Sequence, residues 1–129
     1  MSKNEKSINR LEGFVKKGWG YEYIFITNEL YCLKALHFTK TGNKFSMHFH
    51  KYKDESWYVE QGSFLLRLLN TNLGSVEEKV LETESSIRIT PFTIHQLVAL
   101  EDDSRILEVS TADSVEDNYR VAPGDSQSV

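Results

Sequence analysis

Cysteine, proline and long apolar runs are all scarce in this chain of 129 residues, which contains one cysteine and two prolines. The lone cysteine, Cys32, excludes an intrachain disulfide and fits a reducing compartment. The polar start, Met1–Arg10, lacks the apolar stretch of a signal peptide. No apolar run approaches the roughly 18 residues that a membrane-spanning helix requires. These absences predict a cytoplasmic protein with no membrane partner.

An excess of positive charge is also missing. The formal net charge is -4 at pH 7 and the pI is about 5.6, so no basic surface indicates binding to nucleic acid. Hydrophobic residues make up 40% of the chain and charged residues 26%, which is typical of a globular protein with an apolar core. The length suits one domain.

Helical periodicity is hard to find, whereas apolar residues often alternate with period two. Short segments rich in β-branched and aromatic residues recur between turn residues: YEYIF, LYCLKALHF, KFSMHFH, SWYVEQ, SFLLRLLN, SIRIT, IHQLVAL and RILEVST. Eight or more strands at this spacing predict an all-β sandwich or barrel. The charged segment 75–85 is predicted to be an edge strand, because outward charges discourage pairing with another chain.

Two histidines one residue apart, His48 and His50, are the most informative local feature. Residues i and i+2 of a strand project from the same face, so both imidazoles point to one side. Three apolar neighbours are expected to point to the other side: Phe45, Met47 and Phe49. Glu55 opens the next strand, and a hairpin would bring its carboxylate close to both rings. For either histidine taken alone, a half-exposed strand residue with no ligand is the alternative.

A third histidine, His95, begins an alternating strand just after Pro91. Buried polar groups need partners, and one metal ion satisfies several of them at once. We therefore predict a metal site with four ligands: His48, His50, Glu55 and His95. Such a site leaves one or two coordination positions open, as catalytic sites do. Its nitrogen and oxygen ligands suit Zn, Mn, Fe, Ni or Co without choosing among them.

These residues resemble the first sequence motif of the cupin family. That motif consists, in order, of Gly, five residues, His-x-His, three or four residues, Glu, six residues and Gly. Every spacing of that motif is met by five residues of this chain: Gly42, His48, His50, Glu55 and Gly62. The second motif is looser, with Phe92 where glycine is common and Ala99 at the asparagine position, although His95 matches the metal histidine. The resemblance implies a double-stranded β-helix, or jelly-roll, barrel of two packed antiparallel sheets, with the metal between them.

We expect this barrel to span residues 19–113, between a charged N-terminal arm at 1–18 and a small polar tail at 114–129. A small-molecule ligand is expected inside it. A homodimer is expected as well, because the three outward apolar residues need cover: Phe45, Met47 and Phe49. Cover by the chain's own second sheet is the alternative.

Some segments also look like parts of the cupin domain of type II mannose-6-phosphate isomerases. The matching residues are Trp19-Gly20, Lys34, Glu108-Val109, Glu116-Asp117 and Arg120. This likeness implies a metal-dependent, isomerase-like enzyme of carbohydrate metabolism that acts on a sugar or sugar phosphate. A non-catalytic sugar-binding module and an Fe- or Mn-dependent dioxygenase remain open as alternatives.

Four polar residues on otherwise apolar strands are candidates for the chemistry: Lys34, Arg67, Arg88 and Glu108. Lys34 and Arg67 could hold a phosphate or carboxylate, and Glu108 could act as a base. We take Lys34 and Glu108 as the candidate catalytic residues. The alternative for each is an outward, solvated side chain, because a change of register by one residue reverses the face. His37 is expected at the surface or an interface, and Arg120 is left without a role.

Overall fold

The computed structural model describes residues 13–127, and within them eleven strands are found. In chain order they are β1 (Phe14–Lys17), β2 (Gly20–Thr27), β3 (Tyr31–Phe38), β4 (Met47–Phe49), β5 (Glu55–Gln61), β6 (Phe64–Asn70), β7 (Ser75–Leu81), β8 (Ser86–Ile89), β9 (His95–Ala99), β10 (Ser104–Thr111) and β11 (Tyr119–Ala122). A short 3-10 turn follows at Asp125–Gln127. In this part of the chain no helix is long and apolar enough to cross a membrane.

The strands form two antiparallel sheets. The larger has the order β1-β2-β3-β10-β5-β8 and the smaller the order β11-β4-β9-β6-β7. Neighbours such as β3 and β10, or β4 and β9, are distant in sequence, so the chain passes between the sheets instead of completing each in turn. This arrangement fits a jelly roll. The prediction of an all-β fold with two packed antiparallel sheets is confirmed.

The apolar core lies between the sheets because side chains alternate along the strands. In β5, Glu55, Trp57 and Val59 are buried whereas Tyr58 and Glu60 are exposed, so the first three share the inner face. Trp57 and Val59 belong to one cluster with residues of the smaller sheet, among them Phe64, Leu66 and Leu97. Each large apolar side chain buried there contributes about 1.5–3 kcal/mol. The cluster fixes the separation of the sheets and so the position of Glu55.

The sheets reach beyond the predicted barrel limits of 19–113. Strand β1, in the predicted arm, pairs with β2, and β11, in the predicted tail, pairs with β4. The register places Arg120 directly opposite His48. Residues 1–12 and 128–129, the outer parts of the arm and tail, lie outside the described residues. Both ends of the domain therefore contribute to the walls around the histidines.

Strand β7 is an edge strand, as predicted for this charged segment. It pairs with β6 at one side of the smaller sheet, and residues 75–80 are all exposed. Its three exposed charged residues, Glu77, Glu78 and Lys79, disfavour pairing with a further strand.

Phe45, expected on the face opposite the histidines, instead lies on their side, which corrects the sequence prediction: its ring centroid is 5.0 Å from that of His48 and 6.0 Å from that of His95. Phe45 is 8% exposed and Met47 is 5% exposed, and Phe45 packs in the core against Trp19 and Phe38. Strand β4 begins only at Met47, so the period-two pattern does not extend back to Phe45. Met47 and Phe49 share one face of β4, and Phe49 stacks on Tyr119 with ring centroids 5.1 Å apart. The surface argument for a homodimer is weakened accordingly, and the dimer stays a prediction.

His37 is also more buried than expected, because an aromatic ring covers it. Its imidazole stacks on Tyr21 with centroids 4.7 Å apart, and its Nε2 lies 3.0 Å from Asp103 Oδ1. Arg105 Nε donates to the other ring nitrogen at 3.1 Å. The ring is thus paired on the outer face of the larger sheet, away from the other histidines.

Candidate metal centre

Three histidines come together in the smaller sheet. His48 in β4 and His95 in β9 are directly opposite each other, and His50 follows β4 on the same side. One ring nitrogen from each histidine lies within 4.8 Å of one from each of the others. His50 and His95 are 8% and 1% exposed. The strand pairing therefore builds a cluster with metal-binding distances from residues far apart in sequence.

The main chain fixes the orientation of all three rings. Nδ1 of His48 lies 2.7 Å from Ser46 O, Nδ1 of His50 2.6 Å from Asp117 O, and Nδ1 of His95 2.8 Å from Thr93 O: three carbonyl acceptors in all. A carbonyl only accepts, so each Nδ1 carries the proton and donates. Each neutral ring then presents an unprotonated Nε2, the state in which an imidazole binds a metal.

Glu55 faces the histidine cluster with one oxygen. Its Oε2 lies 3.3 Å from His50 Nε2 and 3.9 Å from His95 Nε2. Its Oε1 accepts a hydrogen bond from Trp57 Nε1 at 2.8 Å. Within residues 13–127, Glu55 Oε2 and His95 Nε2 are buried without a hydrogen-bond partner. Two unsatisfied buried acceptors side by side are costly, and a shared cation would satisfy both.

The electrostatics of the cluster keep two of its histidines neutral. Burial and the neighbouring His95 and His50 lower the pKa of His48 to about 2. Burial lowers the pKa of His95 to about 4, against a hydrogen bond with the Thr93 carbonyl that raises it. For His50, burial also lowers the pKa, but the Glu55 carboxylate and the Asp117 carbonyl outweigh it and the pKa is raised. His48 and His95 therefore need lose no proton to bind a metal at neutral pH.

A buried cluster of charges lies beside the histidines. Lys53 Nζ forms ion pairs with Glu108 Oε2 at 2.9 Å and with Asp113 Oδ1 at 3.2 Å. Lys34 Nζ donates to Asp113 Oδ2 at 2.9 Å and lies 3.8 Å from Glu108 and 3.9 Å from Glu22. Lys34, Lys53 and Glu108 are each less than 7% exposed. Buried charges persist only when they are paired, so these residues depend on one another.

The pKa values in this cluster are shifted in opposite directions. Burial and the Glu55 charge raise the pKa of the Glu108 carboxyl. Burial also acts to raise that of Asp113, but Lys53 and Lys34 outweigh it and hold the pKa well below its usual range. Trp57 connects the cluster to the histidines, because its Nε1 lies 2.8 Å from Glu55 Oε1 and 3.3 Å from Glu108 Oε1.

Asp117 organises the loop between β4 and β5. Its Oδ1 accepts a hydrogen bond from the main-chain N–H of Lys51 at 2.7 Å, and its Oδ2 accepts from those of Tyr52 and Lys53 at 3.0 Å each. Its carbonyl is the acceptor for His50 Nδ1. One residue therefore holds both the His50 ring and the segment that carries Lys53.

Phe92 occupies the position of the second motif where glycine is common. It has a φ of 67°, in the left-handed region that disfavours residues with a Cβ. Its N–H donates to the His50 carbonyl at 2.7 Å. The turn before His95 therefore takes the conformation that glycine favours, although it contains phenylalanine.

A cavity of about 270 Å³ opens beside the cluster, and the structure places several predicted residues in its wall. His48, His50 and Glu55 line it, and so do the two candidate catalytic residues, Lys34 and Glu108. His95 lies behind these residues, buried between Phe45 and Trp57.

Arg67 and Arg88 do not line this cavity. Arg67 lies 3.2 Å from Glu78 and 2.8 Å from Gln96, and Arg88 binds Asp54 at the surface. Sequence reasoning missed Lys53, whose segment has no strand period to show which side chain turns inward. It also assigned no role to Arg120, which lines the cavity from β11.

The fold is that of the cupins, and it also occurs in other solved structures, among them the following three. KdgF from Halomonas sp. is 22% identical with a TM-score of 0.64, covering 89% of this chain and 94% of KdgF. The capsular polysaccharide assembling protein CapF from Staphylococcus aureus is 17% identical with a TM-score of 0.74, covering 92% of this chain and 34% of CapF. Oxalate decarboxylase from Bacillus subtilis is 19% identical with a TM-score of 0.72, covering 86% of this chain and 30% of the decarboxylase.

The chain thus spans about a third of the length of CapF and of oxalate decarboxylase. No protein-family model matches it, and no similar sequence was found among curated proteins. Within this fold, the three histidines lie at distances that suit a divalent metal ion.

Proposed function

We propose that this protein binds one divalent transition metal and acts on a sugar or sugar phosphate in the adjoining cavity. Nε2 of His48, His50 and His95 and Oε2 of Glu55 would be the ligands. The observation that carries the proposal is the convergence of three oriented imidazoles with an unsatisfied buried carboxylate oxygen. Zn, Mn, Fe, Ni and Co all suit such a donor set.

The charges around the cavity support a divalent ion. Two buried lysines, Lys34 and Lys53, face four carboxylates: Glu22, Glu55, Glu108 and Asp113. These six side chains carry a formal excess of two negative charges, which one divalent cation would balance; Glu22 is half-exposed and Asp113 exposed, whereas the other four are buried. A cation bound at the buried Glu55 carboxylate would stabilise the folded chain.

The cavity supports a small polar ligand. Its volume of about 270 Å³ is close to the lower end of the roughly 300–1,000 Å³ common for ligand sites, which fits a metabolite. Carboxylates, lysines and hydroxyl groups line it, and these groups suit a polyhydroxylated molecule. CapF, a similar structure, is described as a capsular polysaccharide assembling protein, which favours a carbohydrate.

Glu108 is our candidate for the base. When bound, the divalent ion would polarise a substrate carbonyl or hydroxyl as a Lewis acid. Glu108 would accept the proton α to the carbonyl and return it to the neighbouring carbon, as an aldose–ketose isomerisation requires. Lys53 and Lys34 hold the Glu108 carboxylate in place and compensate its charge. Lys34 would act as a positioning residue, because its ammonium group is engaged by Asp113.

Metal content measured by elemental analysis tests the central part of this proposal. The expected result is one divalent ion per chain in the wild type after loading, and a loss in His50→Ala. His37→Ala is the matched control, because it removes a histidine that lies outside the cluster. A wild type that binds no metal stoichiometrically under any loading condition would refute the proposal.

Exchange of substrate protons with D₂O tests the catalytic part. With metal-loaded protein and a panel of hexose and pentose phosphates, we expect exchange that falls by about 10²–10⁴-fold in Glu108→Gln. No exchange across the panel would favour the non-catalytic sugar-binding module. Oxygen consumption with Fe(II), and none with Zn, would favour the dioxygenase.

A further inference from the structure

Two cations at the cavity mouth differ from the other charged residues of the lining in having no partner. The exposed and half-exposed lining residues include four charged ones: Lys17, Glu22, Asp113 and Arg120. Glu22 and Asp113 are paired with Lys34, whereas within residues 13–127 neither Lys17 nor Arg120 forms an ion pair. By contrast, the buried lysines, Lys34 and Lys53, are both engaged by carboxylates.

We propose that Arg120 and Lys17 form a subsite at the cavity mouth for an anionic oxygen group of the substrate, a carboxylate or a phosphate. This inference rests on the proposed function, since it concerns a ligand whose other end reaches the metal. It gives the bound substrate a defined orientation, with its reacting end at the histidines and its anionic end at the mouth.

The strand register places Arg120 where this role requires it. Arg120 in β11 is directly opposite His48 in β4, and directly opposed residues of an antiparallel pair project from the same face. Its guanidinium therefore extends from the histidine side toward the mouth. A guanidinium can donate two parallel hydrogen bonds to a carboxylate or phosphate.

Lys17 approaches the mouth from the larger sheet. It is the last residue of β1, opposite Gly20, and the adjacent turn is held to the C-terminal segment because Gly18 N donates to Ser126 Oγ at 3.0 Å. That contact brings the end of β1 and the turn at Asp125–Gln127 to one side of the cavity. The two cations thus come from different sheets at the same opening.

The charge balance points to an anion. The cavity lining contains four cations and four carboxylates, so a bound divalent ion would leave it with a formal excess of two positive charges, and Lys17 and Arg120 are the cations without an ion pair among the described residues. The protein as a whole has a formal net charge of -4, so this local excess of positive charge is opposite in sign to the rest of the molecule. A ligand with one or two negative charges complements it.

A series of ligands that share one sugar ring tests the proposal: glucose, glucuronate and glucose 6-phosphate. Binding to metal-loaded wild type, measured by calorimetry, should be tighter for one or both anions than for glucose. Which anion binds more tightly distinguishes a carboxylate subsite from a phosphate subsite. The preference should weaken with added salt, because partly exposed charges are screened.

Arg120→Gln and Lys17→Gln should each weaken binding of the preferred anion about tenfold or more, the size expected for loss of a charge-assisted hydrogen bond. Affinity for glucose should be unchanged. Lys16→Gln is the matched control, because Lys16 is the exposed neighbour of Lys17 and does not line the cavity. Metal content and circular dichroism of each variant show whether the site and fold are retained.

Equal affinity for the three ligands, absence of binding by all of them, or variants that behave like Lys16→Gln would each overturn the subsite. Failure of the proposed function looks different: the wild type would bind no metal. In that case a titration of metal-free protein with inorganic phosphate, compared between wild type and Arg120→Gln, still decides whether the mouth binds anions.

Discussion

The two sides of the cavity hold their functional groups in different ways. On the side of the smaller sheet, each of the three imidazoles donates Nδ1–H to a main-chain carbonyl. On the side of the larger sheet, Lys34 and Glu108 are held by each other and by two further charged residues, Lys53 and Asp113. Groups held by the main chain keep their geometry when a neighbouring side chain changes, whereas groups held by charge do not. The histidine side and the charged side should therefore respond differently to substitution.

Lys53→Met should have the largest effect on stability and little effect on metal binding. It leaves Glu108 with one more distant cation, Lys34, and breaking a buried ion pair costs about 3–5 kcal/mol. Urea unfolding of the metal-free protein measures the loss, and elemental analysis should still find one metal per chain. Lys51→Met is the control, because the side chain of this exposed lysine of the same loop lies over the Tyr119 ring and forms no ion pair within residues 13–127. Loss of metal along with stability would show that the two sides are not independent.

Asp117→Ala should instead weaken metal binding indirectly, because the Asp117 carboxylate holds the loop after His50 and so helps to position the main-chain carbonyl that accepts from His50 Nδ1. The loss should be smaller than the roughly 10–100-fold typical when an outer partner of a metal ligand is removed, because the carbonyl itself is retained. Competition with a chelator of known affinity measures the change. Asp117→Asn retains an oxygen acceptor and should recover part of the affinity. Equal affinities in all three proteins would mean that strand pairing alone positions His50.

Acid should weaken the charged side through Asp113. In the folded chain the two lysines lower the pKa of Asp113. Its contribution to stability is therefore present at pH values above the pKa of about 3.9 in the unfolded chain, and it is lost as the pH falls below that value. Urea midpoints measured from pH 7 to pH 2 should fall in the wild type. In Asp113→Asn they should start lower and fall less steeply. Parallel plots of the urea midpoint against pH for the wild type and Asp113→Asn would contradict this role of Asp113. Asp102→Asn serves as the comparison, because Asp102 is an exposed carboxylate away from the cavity.

The histidine side could be predicted from the sequence because strand periodicity and spacing determine it. His48 and His50 share a face by parity, and Glu55 opens the next strand in register with Trp57 and Val59. These relations are local and need only the regular geometry of a strand. The same parity failed at Phe45, because the chain before Met47 is irregular.

The charged side could not be predicted in the same way. Lys53 lies in a loop, where no period shows whether a side chain is buried. Asp113 is the last residue of the predicted barrel and Asp117 lies in the segment assigned to a polar tail, and their roles depend on contacts with residues sixty or more positions away. The burial of His37 likewise depends on a ring from another strand, Tyr21. Long-range pairing of charged and aromatic side chains leaves no local pattern in the sequence.

Phe92→Gly should have the smallest effect, and it should be stabilising. The left-handed conformation costs a residue with a Cβ about 1–2 kcal/mol, and the ring is 64% exposed, so little packing is lost. Glycine gains more freedom in the unfolded chain, which offsets part of the gain and leaves less than about 1 kcal/mol. Phe92→Ala is the control, because it removes the ring but keeps a Cβ. Urea unfolding should find the Phe92→Gly variant more stable than the wild type and Phe92→Ala. Metal affinity should be the same in all three, because the N–H that donates to the His50 carbonyl belongs to the main chain and is present in each.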